Sequence, residues 1–591
     1  MKLSDYLVKF FEKNKFKYAF GVTGGGAMHL NDSFGKSKKI KFIMHHHEQA
    51  ASMAAEGYSR ISNKIGLCHV TTGPGGTNAI TGVVGAWIDS IPMIIVSGQV
   101  AKKDMINNLE IRQRGVQEIN ITDIINPIVK YSVVLKDEKK IKYELEKCLY
   151  KCNIDRPGPV WIDIPLDIQA KEINEKKLIS FKPPKKKLNK KSFSNFEKII
   201  NLIKKAKRPS IVIGNGVHIS QSEKSFLKFA KKIQVPILSS WNASDVVPTS
   251  DKNYIGRFGI FGDRASNFTI QNSDLVLILG SRLSQPLTGY RMDLFVPSGK
   301  FIMVDIDKKE IFKFKKKIKI GINDDLKNFI NNFISFLERK KIKINTHQKW
   351  LNFCKNQKNK YLVISEKHLN NNKVNSFNFI NTLSKVIKSK TNIITDMGTS
   401  FTCTMQTFAT KNNQRLFTSS GLAAMGYGIP GSIGSSFANL KVNTICVTGD
   451  GGTMFNIQEL QTIAHHKLPI KIFVLFNNGY LTMKLMQKKN FKNFVGSDPK
   501  SGISCPDFTK IAKAFNIKSI KITNSNNLAK KISNFLKIKG PSICQINMPD
   551  YQPLIPRLQT KMDKDRNFLP TPIDNLFPFL SEKEYKKNIL Y

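Results

Sequence analysis

Asp450 and Asn477 lie 27 positions apart in the stretch ICVTGDGGTMFNIQELQTIAHHKLPIKIFVLFNNGY, and each follows an apolar run. The first run, Thr444 to Thr448, ends in Gly449-Asp450-Gly451. The second, Ile470 to Phe476, ends in Asn477-Asn478-Gly479. Asp450 offers a carboxylate oxygen, Asn477 an amide oxygen and Gly479 a backbone carbonyl. Hard oxygen donors of this kind, with phosphate oxygens completing the shell, suit Mg2+. Gly449, Gly451 and Gly452 let the backbone approach a phosphate, and the helix start up to Thr453 offers free N–H groups.

Two apolar runs flanking a helical pattern predict a parallel strand–helix–strand unit, with Ile457, Leu460, Ile463 and Ala464 on one helix face. Such a unit brings both strand ends to one edge of the sheet, where open α/β folds bind ligands. The same alternation recurs along the chain and predicts three doubly wound parallel-sheet domains of the α/β class. The first spans 1–170, with strands near 41–44, 66–71, 93–97 and 160–164. A lysine-rich linker covers 171–192. The second domain spans 193–335, with helices near 196–205 and 223–232 and strands near 210–213, 274–279 and 301–305. A second linker covers 336–369, the third domain 370–550, and a proline-containing tail 551–591.

The chain has 591 residues and a formal net charge of +49. The excess comes from 80 lysines against only 13 arginines, spread along the whole length. No aromatic interleaving or nucleic-acid module accompanies it, so nucleic-acid binding is not expected. Anionic substrates remain compatible with the charge. No run of 18 apolar residues indicates a membrane span, and the charged N-terminus MKLSDYLVKFFEKNKFKYAF does not read as a secretory signal. It reads as an amphipathic helix leading into a strand. The eight cysteines are scattered without a CxxC pair, which points to a reducing, cytoplasmic setting.

Further segments carry a resemblance. HHHEQAASMAAEGYSR and VTTGPGGTNAITGVVGAWIDSIPMIIVSGQV, with SSGLAAMGYGIPGSIG and the GDG–NNG stretch, occur in the order found in thiamine diphosphate enzymes. Together they resemble the acetohydroxyacid (acetolactate) synthase branch of that family, from about Tyr6 to Asp550. The resemblance implies thiamine diphosphate and Mg2+ as cofactors and a 2-keto acid, pyruvate first, as substrate. It implies that Glu48 pairs with the aminopyrimidine ring. A glutamate in an apolar pocket has a raised pKa and can share a proton with a ring nitrogen, which readies the cofactor to lose its C2 proton. The cofactor then supplies the electron sink for decarboxylation.

By the same resemblance Gly25, Thr72, Gly75 and Asn78 lie beside the cofactor. Ala423 offers its carbonyl to the amino group and Met425 wedges under the two rings. Gly398, Thr399 and Ser400, after a strand, contact the diphosphate through backbone and hydroxyls. Gln117 and Lys130 match catalytic positions. Of the three adjacent histidines, His47 reads as site lining, since three consecutive residues cannot all face one ion on a regular element. The family places its glutamate and GDG segments on different subunits, so a homodimer, or a homotetramer of two dimers, is implied; a regulatory subunit is left open.

The sequence also departs from the family. In Gly280-Ser281-Arg282-Leu283-Ser284-Gln285-Pro286-Leu287-Thr288-Gly289, Pro286 stands where an arginine would grip the carboxylate of a second keto acid, and proline cannot form that charge-assisted pair. Met486 replaces a tryptophan and Val116 a phenylalanine. The donor half is intact and the acceptor half altered. Decarboxylation with carboligation is the leading reading. Addition of a two-carbon unit to a keto-sugar nucleotide or aldehyde, simple decarboxylation, and a flavin-linked oxidase stay open. A structural FAD is implied at Gly214, Gly216, Arg282, Asp305 and Asp324, although the family's acidic pair is lost at Ser284 and Gln285. A scaffold would typically lose Glu48 or the Mg2+ ligands, and neither is lost.

Overall fold

The computed structural model describes the chain except residues 108, 185–193, 345–346, 366–367, 370–371, 492, 563, 566 and 570. Residues 185–192 of the expected 171–192 linker fall among these. The first sheet contains β1 (Tyr18–Gly21), β2 (Lys41–Met44), β3 (Gly66–Val70), β4 (Met93–Gln99), β5 (Ser132–Val134) and β6 (Pro159–Pro165), in the order β2-β1-β3-β4-β6-β5. The second contains β7 (Pro209–Ile213), β8 (Ile237–Ser239), β9 (Tyr254–Arg257), β10 (Leu275–Leu279), β11 (Lys300–Asp305) and β12 (Ile318–Asn323), in the order β12-β11-β10-β7-β8-β9. The third contains β13 (Thr391–Thr395), β14 (Arg415–Phe417), β15 (Asn443–Gly449), β16 (Ile470–Phe476), β17 (Lys518–Ile522) and β18 (Ser542–Asn547), in the order β14-β13-β15-β16-β18-β17. Every ladder in the three sheets is parallel. The three α/β domains expected from the alternation are therefore present. The first and third share one topology.

Parallel sheets bury both faces, which is why the central strands read as unbroken apolar runs. Each sheet also has a point where strand order reverses: between β1 and β3, between β7 and β10, and between β13 and β15. Crevices form there, at the carboxyl ends of the strands.

Some expectations needed revision. The segment 336–369 is not simply a linker. It carries a helix, Gln348–Lys360, whose Trp350, Leu351 and Cys354 bury one face against the central sheet. The Trp350 indole donates to the Pro209 carbonyl at 3.0 Å. Nor is 551–591 a loose tail. Asn267 and Asn272 of the central domain donate to the carbonyls of Ile573 and Asn588, at 2.7 and 2.8 Å. The helix expected between Asp450 and Asn477 is two helices, Asp450–Phe455 and Glu459–His465. Asn456 leaves helical geometry at the break and its buried amide donates to the Gly426 carbonyl at 2.9 Å, a partner remote in sequence.

The first and third domains meet through two helices rich in small residues, Glu48–Ser62 and Gly428–Ala438. A Cβ added at Gly434 would lie 1.8 Å from the Ala54 carbonyl oxygen, and one at Gly57 would lie 2.5 Å from that of Gly431. Beside this seam Arg60 is buried between Glu56, at 2.5 Å, and Asp89, at 2.7 Å. The Tyr427 hydroxyl donates to Glu56 from the third domain, and the Ser420 amide donates to Asp89 at 3.1 Å.

Substituting Gly434→Ala pushes backbone against backbone. Overpacking of this kind costs roughly 1–3 kcal/mol or more. The variant is expected to unfold at lower urea concentration than wild type, whereas Gly35→Ala, at a helical glycine with open space around it, does not lower the midpoint.

Candidate active site

At the switch point of the third sheet, Asp396 directly follows β13, Asp450 directly follows β15 and Asn477 directly follows the neighbouring β16. Asp450 is buried. One carboxylate oxygen accepts the Gly451 amide at 2.8 Å; the other accepts the amides of Asn477 at 2.9 Å and Gly479 at 3.2 Å. The carboxylate thus ties together the two strand ends from which oxygen ligands would come. Burial pushes the Asp450 carboxyl up to about 6, a cost that a bound cation would offset. The donor set of one carboxylate, one side-chain amide and one backbone carbonyl fits a hard cation that keeps phosphate ligands.

Gly398 caps the Thr399–Thr407 helix with φ 79°, a conformation that favours glycine. A Cβ at Gly449 would meet nothing within 4 Å, and one at Gly398 only Thr482 at 3.9 Å. Both face open space beside helix starts, as an approaching phosphate requires. Gly451 and Gly452 are glycines for a different reason: a Cβ would strike the Tyr480 ring at 2.1 Å or the Asp396 carboxylate at 2.9 Å. Ser400 and Thr453, expected as cofactor contacts, donate their hydroxyls to the Asp396 and Gly449 carbonyls, at 3.0 and 2.8 Å. Thr399 is buried at the first helical position.

Asp396 proves to be a structural hub. Its carboxylate accepts the amides of Met397 at 2.7 Å, Gly426 at 3.0 Å and Gly428 at 3.2 Å, and the Thr448 hydroxyl at 3.1 Å. These bonds fix the turn that carries Met425. Ala423 in the same turn is exposed, with φ 62°. A non-glycine residue in that region is held there by its surroundings, and such strain clusters at functional sites.

The first sheet builds a second half. Glu48 opens the Glu48–Ser62 helix after β2 and is 8% exposed. It accepts the Asn78 side-chain amide at 3.0 Å, so Asn78 orients Glu48. A Cβ at Gly75 would approach Glu48 at 3.7 Å, while Gly25 faces open space. Thr72 donates to Gln99 at 2.9 Å. Gln117 is exposed with φ 62°, and its carbonyl closes on Gly73. The Lys130 ammonium donates to the Ile154 carbonyl at the C-terminal cap of the Ile141–Asn153 helix. That bond satisfies a carbonyl at the helix C-terminus. Among the described residues, no hydrogen bond joins Glu48 to Asp450, Asn477 or Met425 within the chain.

Matches to known proteins follow the same division. Residues 1–124 match the N-terminal TPP binding domain of thiamine pyrophosphate enzymes, 196–333 their central domain and 396–546 their C-terminal TPP binding domain. The acetolactate synthase large subunit of Cyanidium caldarium is 31% identical over 90% of this chain and 91% of its own. The chain belongs to the acetolactate synthase large-subunit family. A probable acetolactate synthase large subunit of Methanocaldococcus jannaschii is 31% identical over 92% of each chain. The Haemophilus influenzae acetolactate synthase large subunit is 28% identical over 94% of this chain and 95% of its own. As a member of this family the chain is a thiamine diphosphate-dependent enzyme. No helix among the described residues is long and apolar enough to cross a membrane.

A third feature lies at the switch point of the central sheet. A cavity of about 430 Å³ opens where the three domains meet. Gly214, Gly216, Arg282 and Asp305 line it, as expected, and Asp325 does so in place of Asp324. Gly214 and Gly216 donate their amides to the Leu279 and Gly280 carbonyls, both at 3.0 Å, so these amides serve the fold. Arg156, not anticipated from sequence, enters from the first domain and pairs with Glu310 at 3.0 Å. Burial raises the Asp305 carboxyl to about 6.

Asp396→Asn keeps the shape of the side chain but replaces an acceptor oxygen with a donor. Each lost acceptor costs roughly 1–3 kcal/mol. The variant is expected to raise the thiamine diphosphate half-saturation concentration about 10- to 100-fold, as read by fluorescence titration.

Proposed function

We propose that this chain binds thiamine diphosphate with Mg2+, decarboxylates pyruvate and joins the two-carbon unit to a second carbonyl compound, as acetolactate synthases do. The observation that carries the reading is the presence, at strand ends of two like domains, of a buried Glu48 and of an Asp450–Asn477–Gly479 group. Asp450, the Asn477 side chain and the Gly479 carbonyl hold the Mg2+. Gly398 and Gly449 leave room for the diphosphate, Met425 supports the cofactor, and Glu48 exchanges a proton with its pyrimidine. The cofactor supplies the electron sink.

Among the described residues no hydrogen bond joins the two halves within the chain, and in this reading a second copy completes the site. Met454, Phe455, Met483 and Met486 are each at least 39% exposed near the Asp450 half, an apolar surface suited to such a copy. Glu48→Gln and Asp450→Asn chains are each expected to be inactive. Mixed equally in a cross-subunit homodimer, they regain about a quarter of wild-type activity, because half the dimers hold one intact site. Recovery of nothing would mean that each chain holds its whole site.

FAD fits the central cavity through side chains: Arg156 and Arg282 provide charge for phosphates, and Asp305 an acceptor for a hydroxyl. Carboligation needs no net redox, so the flavin would be structural. A flavin absorbance spectrum in the purified protein tests this.

Pro286 favours a second reading for the acceptor. Its ring offers no charge, and its carbonyl accepts the Ile260 amide at 2.9 Å. Val116 is 86% exposed and Met486 41%. The acceptor is therefore held without an arginine at this position. Purified protein with thiamine diphosphate, Mg2+ and pyruvate should release carbon dioxide. Acetolactate formed from pyruvate alone at about 10 per second would establish a 2-keto acid acceptor. Slow turnover that rises sharply with a keto-sugar or aldehyde would establish the other.

A further inference from the structure

We infer that Glu459 is a positioning residue for Glu48, so that the segment carrying the metal ligand Asp450 also sets the catalytic glutamate. The inference rests on the reading of Glu48 given above. Glu459 opens the Glu459–His465 helix and is fully buried. One carboxylate oxygen accepts the His46 backbone amide at 3.0 Å, and the other accepts the Thr462 hydroxyl at 2.7 Å. The His47 amide also faces this carboxyl. His46 and His47 immediately precede Glu48, and the His47 ring caps the next helix by accepting the Gln49 amide at 3.1 Å.

Glu48 is the first helical residue, so its direction is set by the backbone of the two residues before it. On the N-terminal side a carboxylate of the third domain holds that backbone; on the other side Asn78 holds the Glu48 carboxylate itself. Bonds between a carboxylate and backbone amides are charge-assisted and strong in a buried site. Glu459 touches neither substrate nor cofactor in this arrangement and acts through Glu48.

The test uses the full-length protein loaded with thiamine diphosphate and Mg2+. Hydrogen–deuterium exchange at the cofactor's C2 position reports what Glu48 does, separately from cofactor affinity and stability. Glu459→Ala is expected to slow exchange roughly 10- to 100-fold, the scale of a small misplacement of a reacting group. Cofactor half-saturation stays unchanged. Glu459→Gln keeps an oxygen for the His46 amide and restores most of the rate. Glu48→Gln/Glu459→Ala exchanges no more slowly than Glu48→Gln alone, since residues acting as a unit are not additive. Should the alanine chain fail to fold, Glu459→Asp, which withdraws the carboxylate by one methylene, takes its place. Wild-type exchange in Glu459→Ala, or a double variant slower than Glu48→Gln, would overturn the inference while leaving Glu48 in its role. Wild-type exchange in Glu48→Gln would overturn both.

Discussion

Arg60 is a buried charge held by carboxylates, and the placement of the domains depends on its being satisfied. Glu56 lies one helical turn away, while Asp89 comes from the end of the next helix of the first domain. Asp89 also accepts the Ser420 amide of the third domain and faces the Asn242 amide of the central domain. Tyr427 closes the group through Glu56. A buried ion pair adds little stability relative to an apolar core, but an uncompensated buried charge is costly. The arrangement therefore acts on orientation: the domains must sit where every partner is met. The glycines of the neighbouring seam make that position reachable, because only their missing Cβ atoms let the helices come close enough for Tyr427 to meet Glu56.

With the domains fixed, topology places the chemistry. The like topologies of the first and third sheets create like crevices, yet the sequence fills them differently. The third sheet supplies Asp450, amides and glycine-lined openings, a surface suited to phosphate and cation. The first supplies a buried carboxylate, Glu48, held by the Asn78 amide and suited to proton exchange. Among the described residues no hydrogen bond joins Glu48 to Asp450 or Asn477 within the chain, so each set of groups is built independently on its own sheet. The Tyr427 turn belongs to both problems, since Asp396 holds its amides while Glu56 takes its hydroxyl.

Much of this was legible in sequence because it follows from short-range patterns. Apolar runs ending in Asp450 and Asn477 marked strand ends, and strand ends of parallel sheets meet along one edge. The three domains follow from the strand–helix alternation, and Glu48 and Met425 from motifs in a fixed order. What escaped notice depends on partners far along the chain. The helix break at Asn456 answers the Gly426 carbonyl. Asp396 could be placed after a strand, but its grip on Gly426 and Gly428 could not. The contacts of Asn78 with Glu48 and of Lys130 with the Ile154 carbonyl likewise join segments that no local pattern connects. Trp350 lies in a segment, 336–369, that is polar on average; Trp350, Leu351 and Cys354 share one helix face, a signal carried by periodicity rather than composition.

The charge distribution follows from the same internal economy of carboxylates. Among the described residues eleven acidic side chains are buried, against Arg60, Arg257, Arg264 and Lys471 among the basic ones. Acids are scarce in this chain, 44 against 93 lysines and arginines, and a good share of them is used inside: Asp89 at the domain junction, Asp396 at the turn, Asp450 at the strand ends of the third sheet, Glu459 beside the His46 backbone. The exterior is thus more cationic than the net charge of +49 alone conveys. Such a surface attracts any anion, and a cleft with low-dielectric walls focuses that field. Specific recognition of a diphosphate or a 2-keto acid then falls to the few fixed donors and glycine openings at the strand ends, where the interior carboxylates hold the backbone in place.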